Sequence, residues 1–275
     1  MSQPPVTLVQ LTDPHLFADP AGRLRGVPTL AALQATLAAA NAHIQSCHGI
    51  LATGDLVQDE IGGYAHFRQA LAGLGKPVLC IPGNHDDAPA LAQALQAAPF
   101  QVGGHVDFPG WRVVLLDSSV ARQPQGALSL DQLAALDAAL ASAPGEHALI
   151  ALHHHPVEMA SQWLDTVGLT NAEAFFAIVD RHPTVRGIVF GHVHQVFETT
   201  RKGVRILGTP STCAQFLPRS ADFVVDSLPP GYRVLTLLPT GQIESQVGWL
   251  SNAQRDQLLD GVSTRTATSQ NSLRT

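Results

Sequence analysis
The chain has 275 residues, 45% of them hydrophobic, and a formal net charge of −6 with no cluster of lysine and arginine. That length can bury a full core, whereas the acidic balance argues against general nucleic-acid binding, which needs many phosphate-neutralising cations. No apolar stretch approaches the ~20 residues needed to cross a bilayer, so neither nucleic acid nor membrane is an expected partner.

The opening Met1-Ser2-Gln3-Pro4-Pro5 carries no basic patch and leads into an apolar run, so no secretory leader is expected. Val6–Leu11 reads as a strand and is followed by Asp13-Pro14-His15. A helix is expected over Thr29–Ile44. The strand Ile50–Thr53 then runs into Gly54-Asp55, and a helix over Gly62–Leu74 follows. Val78–Ile81 is a strand ending at Gly83-Asn84-His85-Asp86, with a helix over Ala88–Ala98 behind it. The strand Val113–Leu116 and the helix Ser129–Ala141 precede Ala148–Leu152, a strand that ends in His153-His154-His155-Pro156. A helix over Asn171–Arg181 leads to Ile188–Phe190, after which comes Gly191-His192-Val193-His194. Alternating strands and helices imply a parallel or mixed sheet covered by helices.

After His194 the texture changes. Val204–Leu207, Phe223–Val225, Tyr232–Leu238 and Ile243–Val247 read as successive strands separated by Pro229-Pro230-Gly231 and Pro239-Thr240-Gly241. A second, mostly antiparallel sheet packed on the first is the expectation. Residues 1–250 are expected to form one domain. Residues 251–275 read as a polar end, a short helix followed by a disordered tail. Cys47, Cys80 and Cys213 include no CxxC pair, which points to reduced, buried thiols in a cytoplasmic protein.

Each motif directly follows an apolar run. In such sheets, sites gather beyond the carboxyl ends of strands, so residues distant in sequence meet on one rim. Carboxylate, amide and imidazole donors suit Mn, Fe, Zn or Co better than Ca, which prefers oxygen cages. Two carboxylates leave positive charge on two divalent ions to attract a phosphate diester. A bridging carboxylate would hold the ions ~3.5–4 Å apart, and metal-bound water ionises near pH ~7.

At these positions the chain resembles the calcineurin-like metallophosphoesterases, whose pattern is D-x-H, G-D, G-N-H, H and G-H-x-H. The resemblance implies two mixed β-sheets packed face to face with helices outside, an α/β sandwich. It further implies that Asp13, His15, Asp55 and His194 hold one metal, with Asp55 bridging, and that Asn84, His153 and His192 complete the second site. A metal-bridging hydroxide would attack phosphorus, and His85 would protonate the leaving oxygen or stabilise its charge. Substrate would therefore lie against His15, Asp55, Asn84, His85, His153 and His194. Two divalent ions are implied, with iron or manganese favoured by the family.

A closer similarity links Thr12-Asp13-Pro14-His15-Leu16-Phe17, Ser161-Gln162-Trp163-Leu164-Asp165 and Thr209-Pro210-Ser211-Thr212-Cys213-Ala214-Gln215-Phe216 to the bacterial class III 3′,5′-cyclic AMP phosphodiesterases. It implies hydrolysis of cyclic AMP to 5′-AMP. Pro14 and Pro28 depart from that pattern. The rival readings are another small diesterase, such as a glycerophosphodiesterase, and an inactive metal-binding regulator. Retention of every ligand and of His85 argues against the regulator.

Other residues receive plainer readings. His43, His48, His66, His105, His147 and His182 lack motif context and read as surface or satisfied histidines. Within the three-histidine run, His153 directly follows the strand and is preferred over His154, which would support it by hydrogen bonding. His155 reads as shaping the turn before Pro156. Asp117-Ser118-Ser119 reads as a hydrogen-bonded turn, and Asp59 and Asp86 as groups that orient ligands or cap the chain. Phe17, Trp163 and Phe216 form either a purine-stacking wall or ordinary core. Arg23 and Arg25 read as a solvated loop.

Overall fold
The computed structural model describes residues 3–143 and 147–260. Two six-stranded mixed sheets pack face to face. The first runs in spatial order Ile243–Trp249, Gly231–Leu237, Val6–Leu11, Gly49–Thr53, Val78–Ile81 and Phe100–Val102. The second runs Phe197–Arg201, Val204–Gly208, Val185–Phe190, His147–Leu152, Trp111–Leu115 and Gly104–Phe108. The middle of each sheet is parallel; antiparallel strands complete both edges of the second, whereas in the first they form one edge and the parallel Phe100–Val102 the other.

Strand periodicity of two explains why the central strands read as unbroken apolar runs: both faces are covered. Leu8, Leu51, Leu79, Leu149, Val189 and Leu207 point into the layer between the sheets. Their neighbours Val9, Ile50 and Cys80 face the helices Thr29–Ala39 and Gly63–Leu71. On the other side, Ile150, Leu152 and Ile188 face Leu130–Ala141 and Ala172–Val179. Three apolar layers thus alternate with four of secondary structure, the expected sandwich.

The strands after His194 do not form a sheet of their own. Val204–Gly208 joins the second sheet beside Val185–Phe190, and Gly231–Leu237 and Ile243–Trp249 complete the first beside Val6–Leu11. An apolar run specifies which faces are buried and carries little information about which neighbour pairs with it. Phe223–Val225 is not a sheet strand; only Val225–Asp226 pairs, with Gln215–Phe216. The strands Phe100–Val102, Gly104–Phe108 and Phe197–Arg201 were not legible, because strands at or near sheet edges alternate with solvent-facing polar residues.

The helix expected over Thr29–Ile44 divides at Ala40 into Thr29–Ala39 and Asn41–Ser46. The one expected to reach Ala98 stops at Ala94. Pro99 disfavours helical backbone at the residue before it. The polar end begins with the expected short helix, Asn252–Asp260; the tail reading for residues 261–275 lies outside the described residues. Among the described residues, no helix is long and apolar enough to cross a membrane.

Candidate metal centre
The parallel registers bring the motifs together. Leu11 pairs with Ala52 and Thr53 with Ile81, so the loops carrying Asp13, Asp55 and Asn84 leave one sheet side by side. Phe190 pairs with Leu152, which delivers His153 next to Gly191-His192 from the other sheet. The first two loops remain zipped beyond their strands, with Asp13 N donating to Gly54 O and His15 N to Asp55 O, both at 3.0 Å. The centre sits where the two sheets present their carboxyl ends to one another.

These loops are tightly constrained. Asp13, His15, Asp55, His192 and His194 all have positive φ, between 47° and 66°. Such left-handed backbone is uncommon for residues with a Cβ, and its concentration here marks strain held by the surrounding structure. Close approach explains the glycines of the motifs. A Cβ on Gly83 would lie 2.2 Å from Asp55 Oδ1, and one on Gly191 would lie 2.1 Å from Thr12 Oγ1.

One group gathers Asp13, His15 and His194, whose donor atoms all lie within 4.8 Å of one another. Asp13 Oδ1 is 3.3 Å from His194 Nε2, and the two Nε2 atoms of His15 and His194 are 3.1 Å apart. The His194 Nδ1–H donates to Ala214 O at 2.7 Å, which turns its Nε2 lone pair inward. A second group gathers Asp13, Asp55 and His153, and a third His153, His154 and His192, each within the same span.

Asp55 joins the groups. Its Oδ2 lies 3.4 Å from His153 Nε2 and 3.7 Å from His15 Nε2, while Oδ1 accepts His85 N at 2.9 Å. Asn84 Oδ1 is 3.2 Å from His153 Nε2. His153 donates from Nδ1 to Thr53 O at 2.8 Å, so its Nε2 is the nitrogen that faces Asp55 and Asn84. His154 instead places Nδ1 2.8 Å from Ser118 Oγ, with its ring centroid 4.8 Å from that of His192.

Burial and charge set the electrostatics. Burial works to raise the carboxyls of Asp13 and Asp55, yet the facing imidazoles of His194 and His153 hold both below the usual carboxylate range. Burial pushes His15 down to about 3 and His192 well below its ordinary value. For His153 burial is outweighed by Asp55, and its pKa rises to about 9. The buried nitrogens His15 Nδ1, His154 Nε2 and His192 Nε2 have no hydrogen-bond partner among the described residues. Buried polar atoms are rarely left so. Two carboxylates, an amide oxygen and convergent imidazole lone pairs fit a pair of divalent cations.

His85 stands at the edge of this cluster. Its ring meets His15 edge to face at 5.2 Å, and Nδ1 lies 3.0 Å from Asp59 Oδ1. A donating Nδ1–H leaves Nε2 for the site. Asp86 accepts from Gly83 N, Leu56 N and Val57 N, tying the Gly83 loop to the Asp55 loop. Asp117 forms the expected turn, accepting Ser119 N at 2.8 Å.

Phe216 stacks flat on His194, with Trp163 at its edge. Phe223, which carried no motif signal, completes the cluster, and Arg25 lies over its ring at 4.7 Å. Phe17 packs over Gly22 and joins no ring contact. The Thr209–Phe216 segment is likewise a brace: Ser211 Oγ donates to Asp13 O at 2.7 Å, and Thr209 Oγ1 to Gln10 Oε1 at 2.7 Å. Hydrogen bonds to backbone carbonyls such as Thr53 O and Ala214 O leave no trace in residue type, so sequence reasoning missed them.

A family model of calcineurin-like phosphoesterases matches residues 6–196. The chain is 42% identical over 254 residues to a 3′,5′-cyclic adenosine monophosphate phosphodiesterase of Vibrio vulnificus, covering 92% of this chain and 93% of that one. It is 40% identical over 252 residues to the enzyme of that description from Escherichia coli, with coverage of 90% and 91%. A dimetal phosphatase from Danio rerio shares the fold, with a TM-score of 0.63 at 17% identity over 90% of this chain and all of that one. From its motifs to its pair of sheets, the chain belongs to the calcineurin-like phosphoesterase family.

Proposed function
We propose that the chain hydrolyses 3′,5′-cyclic AMP to 5′-AMP at a centre of two divalent ions. Asp13, His15, Asp55 and His194 would hold one ion, and Asp55, Asn84, His153 and His192 the other. The observation that carries this reading is the convergence of these seven residues around Asp55, in a chain alignable over nine-tenths of its length with cyclic AMP phosphodiesterases. Mixed oxygen and nitrogen donors favour iron or manganese over calcium. The free cysteines Cys47, Cys80 and Cys213 are buried, which suits a reducing cytoplasm.

Bound ions supply positive charge to the phosphate oxygens and lower the pKa of water toward ~7. The protein's own groups do the rest. Asp13 and Asp55, kept ionised by facing imidazoles, offset part of the ions' charge. Carbonyls of Thr53 and Ala214 fix the tautomers of His153 and His194. Asp59 fixes the ring of His85, so that a proton on Nε2 can pass to the departing 3′ oxygen as the P–O3′ bond breaks.

The test is turnover by protein stripped of metal and reloaded with manganese or iron, with 5′-AMP and 3′-AMP resolved. Metal-dependent formation of 5′-AMP alone is expected. Brisk cleavage of a chromogenic diester without cyclic AMP turnover would overturn the substrate assignment and leave the metal centre standing.

A further inference from the structure
A cleft of about 610 Å³ opens from the His85 edge of the centre and runs away from the carboxylate and imidazole cluster. Its volume falls in the ~300–1,000 Å³ range of small-ligand sites. Asn84 and His85 form one end; Val57, Ile61 and Val120 provide an apolar surface, and Asp117 and Arg122 stand on the loop opposite. Ile61 is 64% exposed, an apolar side chain facing open space beside the candidate general acid.

Two polar groups in this cleft have hydrogen-bonding capacity to spare. Asp117 Oδ1 accepts the backbone N–H and hydroxyl of Ser119, at 2.8 and 2.6 Å, while Oδ2 makes no hydrogen bond with any described residue. Arg122 has a φ of 61°, in a turn closed by Gln123 N donating to Val120 O at 3.0 Å. No described residue pairs with its guanidinium, the only Lys or Arg group lining the cleft. Backbone strain of this kind persists where surrounding structure enforces it, and it clusters at ligand sites.

We propose that this cleft seats the nucleoside whose 3′ oxygen is freed beside His85 while its 5′ oxygen stays on phosphorus, and that Asp117 and Arg122 select an aminopurine there. The inference rests on the phosphodiesterase reading above. Asp117 Oδ2 accepts a hydrogen bond from the exocyclic amine, and the planar Arg122 guanidinium stacks on the base. Val57, Ile61 and Val120 cover its apolar edge. Carboxylates of Asp59, Asp87 and Asp117 also line the cleft, so a nucleotide carrying a second phosphate is repelled.

The test compares wild type, Asp117→Ala and Arg122→Ala on three substrates: cyclic AMP, cyclic IMP, which lacks the exocyclic amine, and methyl 4-nitrophenyl phosphate. Both variants should raise KM for cyclic AMP by about 10-fold or more, with kcat changed less than about 2-fold. Asp117→Ala should also erase the preference for cyclic AMP over cyclic IMP. Turnover of the nitrophenyl ester should stay within about 2-fold of wild type, reporting an intact centre. Variants that match wild type on both cyclic nucleotides, or that lose all three activities together, would overturn the cleft assignment alone. A wild type that cleaves the nitrophenyl ester and ignores cyclic AMP would overturn the cleft and the phosphodiesterase reading together.

Discussion

The imidazole of His194 lies flat against the ring of Phe216, with centroids 4.0 Å apart and planes 5° from parallel. Trp163 and Phe223 meet Phe216 edge to face at 5.4 and 5.0 Å, so the stacked ring is itself wedged. With Nδ1 bonded to Ala214 O, His194 has one orientation available, and its Nε2 faces Asp13. Phe216→Leu removes the flat surface and keeps most of the apolar volume. It should weaken the affinity of the ion proposed at Asp13, His15 and His194 about 10-fold, an effect typical of groups that orient a ligand. Phe216→Tyr should retain it. Metal titration of the stripped protein, followed by calorimetry, measures this independently of turnover.

Asp59 acts on His85 through the same principle. The carboxylate is well exposed, yet both its oxygens lie within 3.1 Å of Nδ1. Asp59→Asn should lower kcat about 10–100-fold, because the ring loses its fixed tautomer. Metal content should not change, since Asp59 belongs to none of the candidate metal groups among the described residues. Equal losses of metal and activity would show that Asp59 supports the centre itself.

The two neighbouring histidines should separate cleanly. His153 has Nε2 against both Asp55 and Asn84, whereas His154 reaches only His153 and His192 and is anchored to Ser118. His154→Ala should cost about 10–100-fold in activity with both ions retained. His153→Ala should exceed that loss and release one ion. Elemental analysis of both variants decides the matter; the reverse pattern would make His154 the ligand.

Stability should depend on Arg233, whose side chain is wholly buried between the sheets. It donates to Gly208 O at 2.7 Å, Thr209 Oγ1 at 3.1 Å and Glu198 Oε1 at 2.9 Å. Burial works to raise the Glu198 carboxyl, but Arg233 and Arg205 hold it below its ordinary 4.5. Glu198 is partly exposed, so Glu198→Gln should cost about 1–3 kcal/mol, between an exposed pair and a buried one. A folded-state pKa below the unfolded one contributes stability that is present above the unfolded value and lost as pH falls through the folded value. The difference in urea midpoint between wild type and variant should therefore be full at pH ~7 and shrink below pH ~4.

Much of the centre was legible before any coordinates. Asp13, His15, Asp55, Asn84, His85, His153, His192 and His194 stand in motifs that each follow an apolar run, and all eight meet at the rim where those runs end. Residue type sufficed there, because metal and proton chemistry accept few donors and strand ends bring distant donors together. Asp117 and Asp86 also behaved as their turn and loop chemistry suggested.

Pairing partners were a different matter. Gly231–Leu237 and Val204–Gly208 carry the same apolar signature and enter different sheets, since period-two patterning encodes a buried face and says nothing about the adjacent strand. Phe216 could be read equally as a purine platform or as core, and its residue type said nothing of the His194 ring against its face. The same holds for the carbonyls of Thr53 and Ala214, which any residue would supply. The candidate donor set was written in side-chain chemistry; the partners, tautomers and stacking were decided by backbone register and packing, which act between residues up to 231 positions apart.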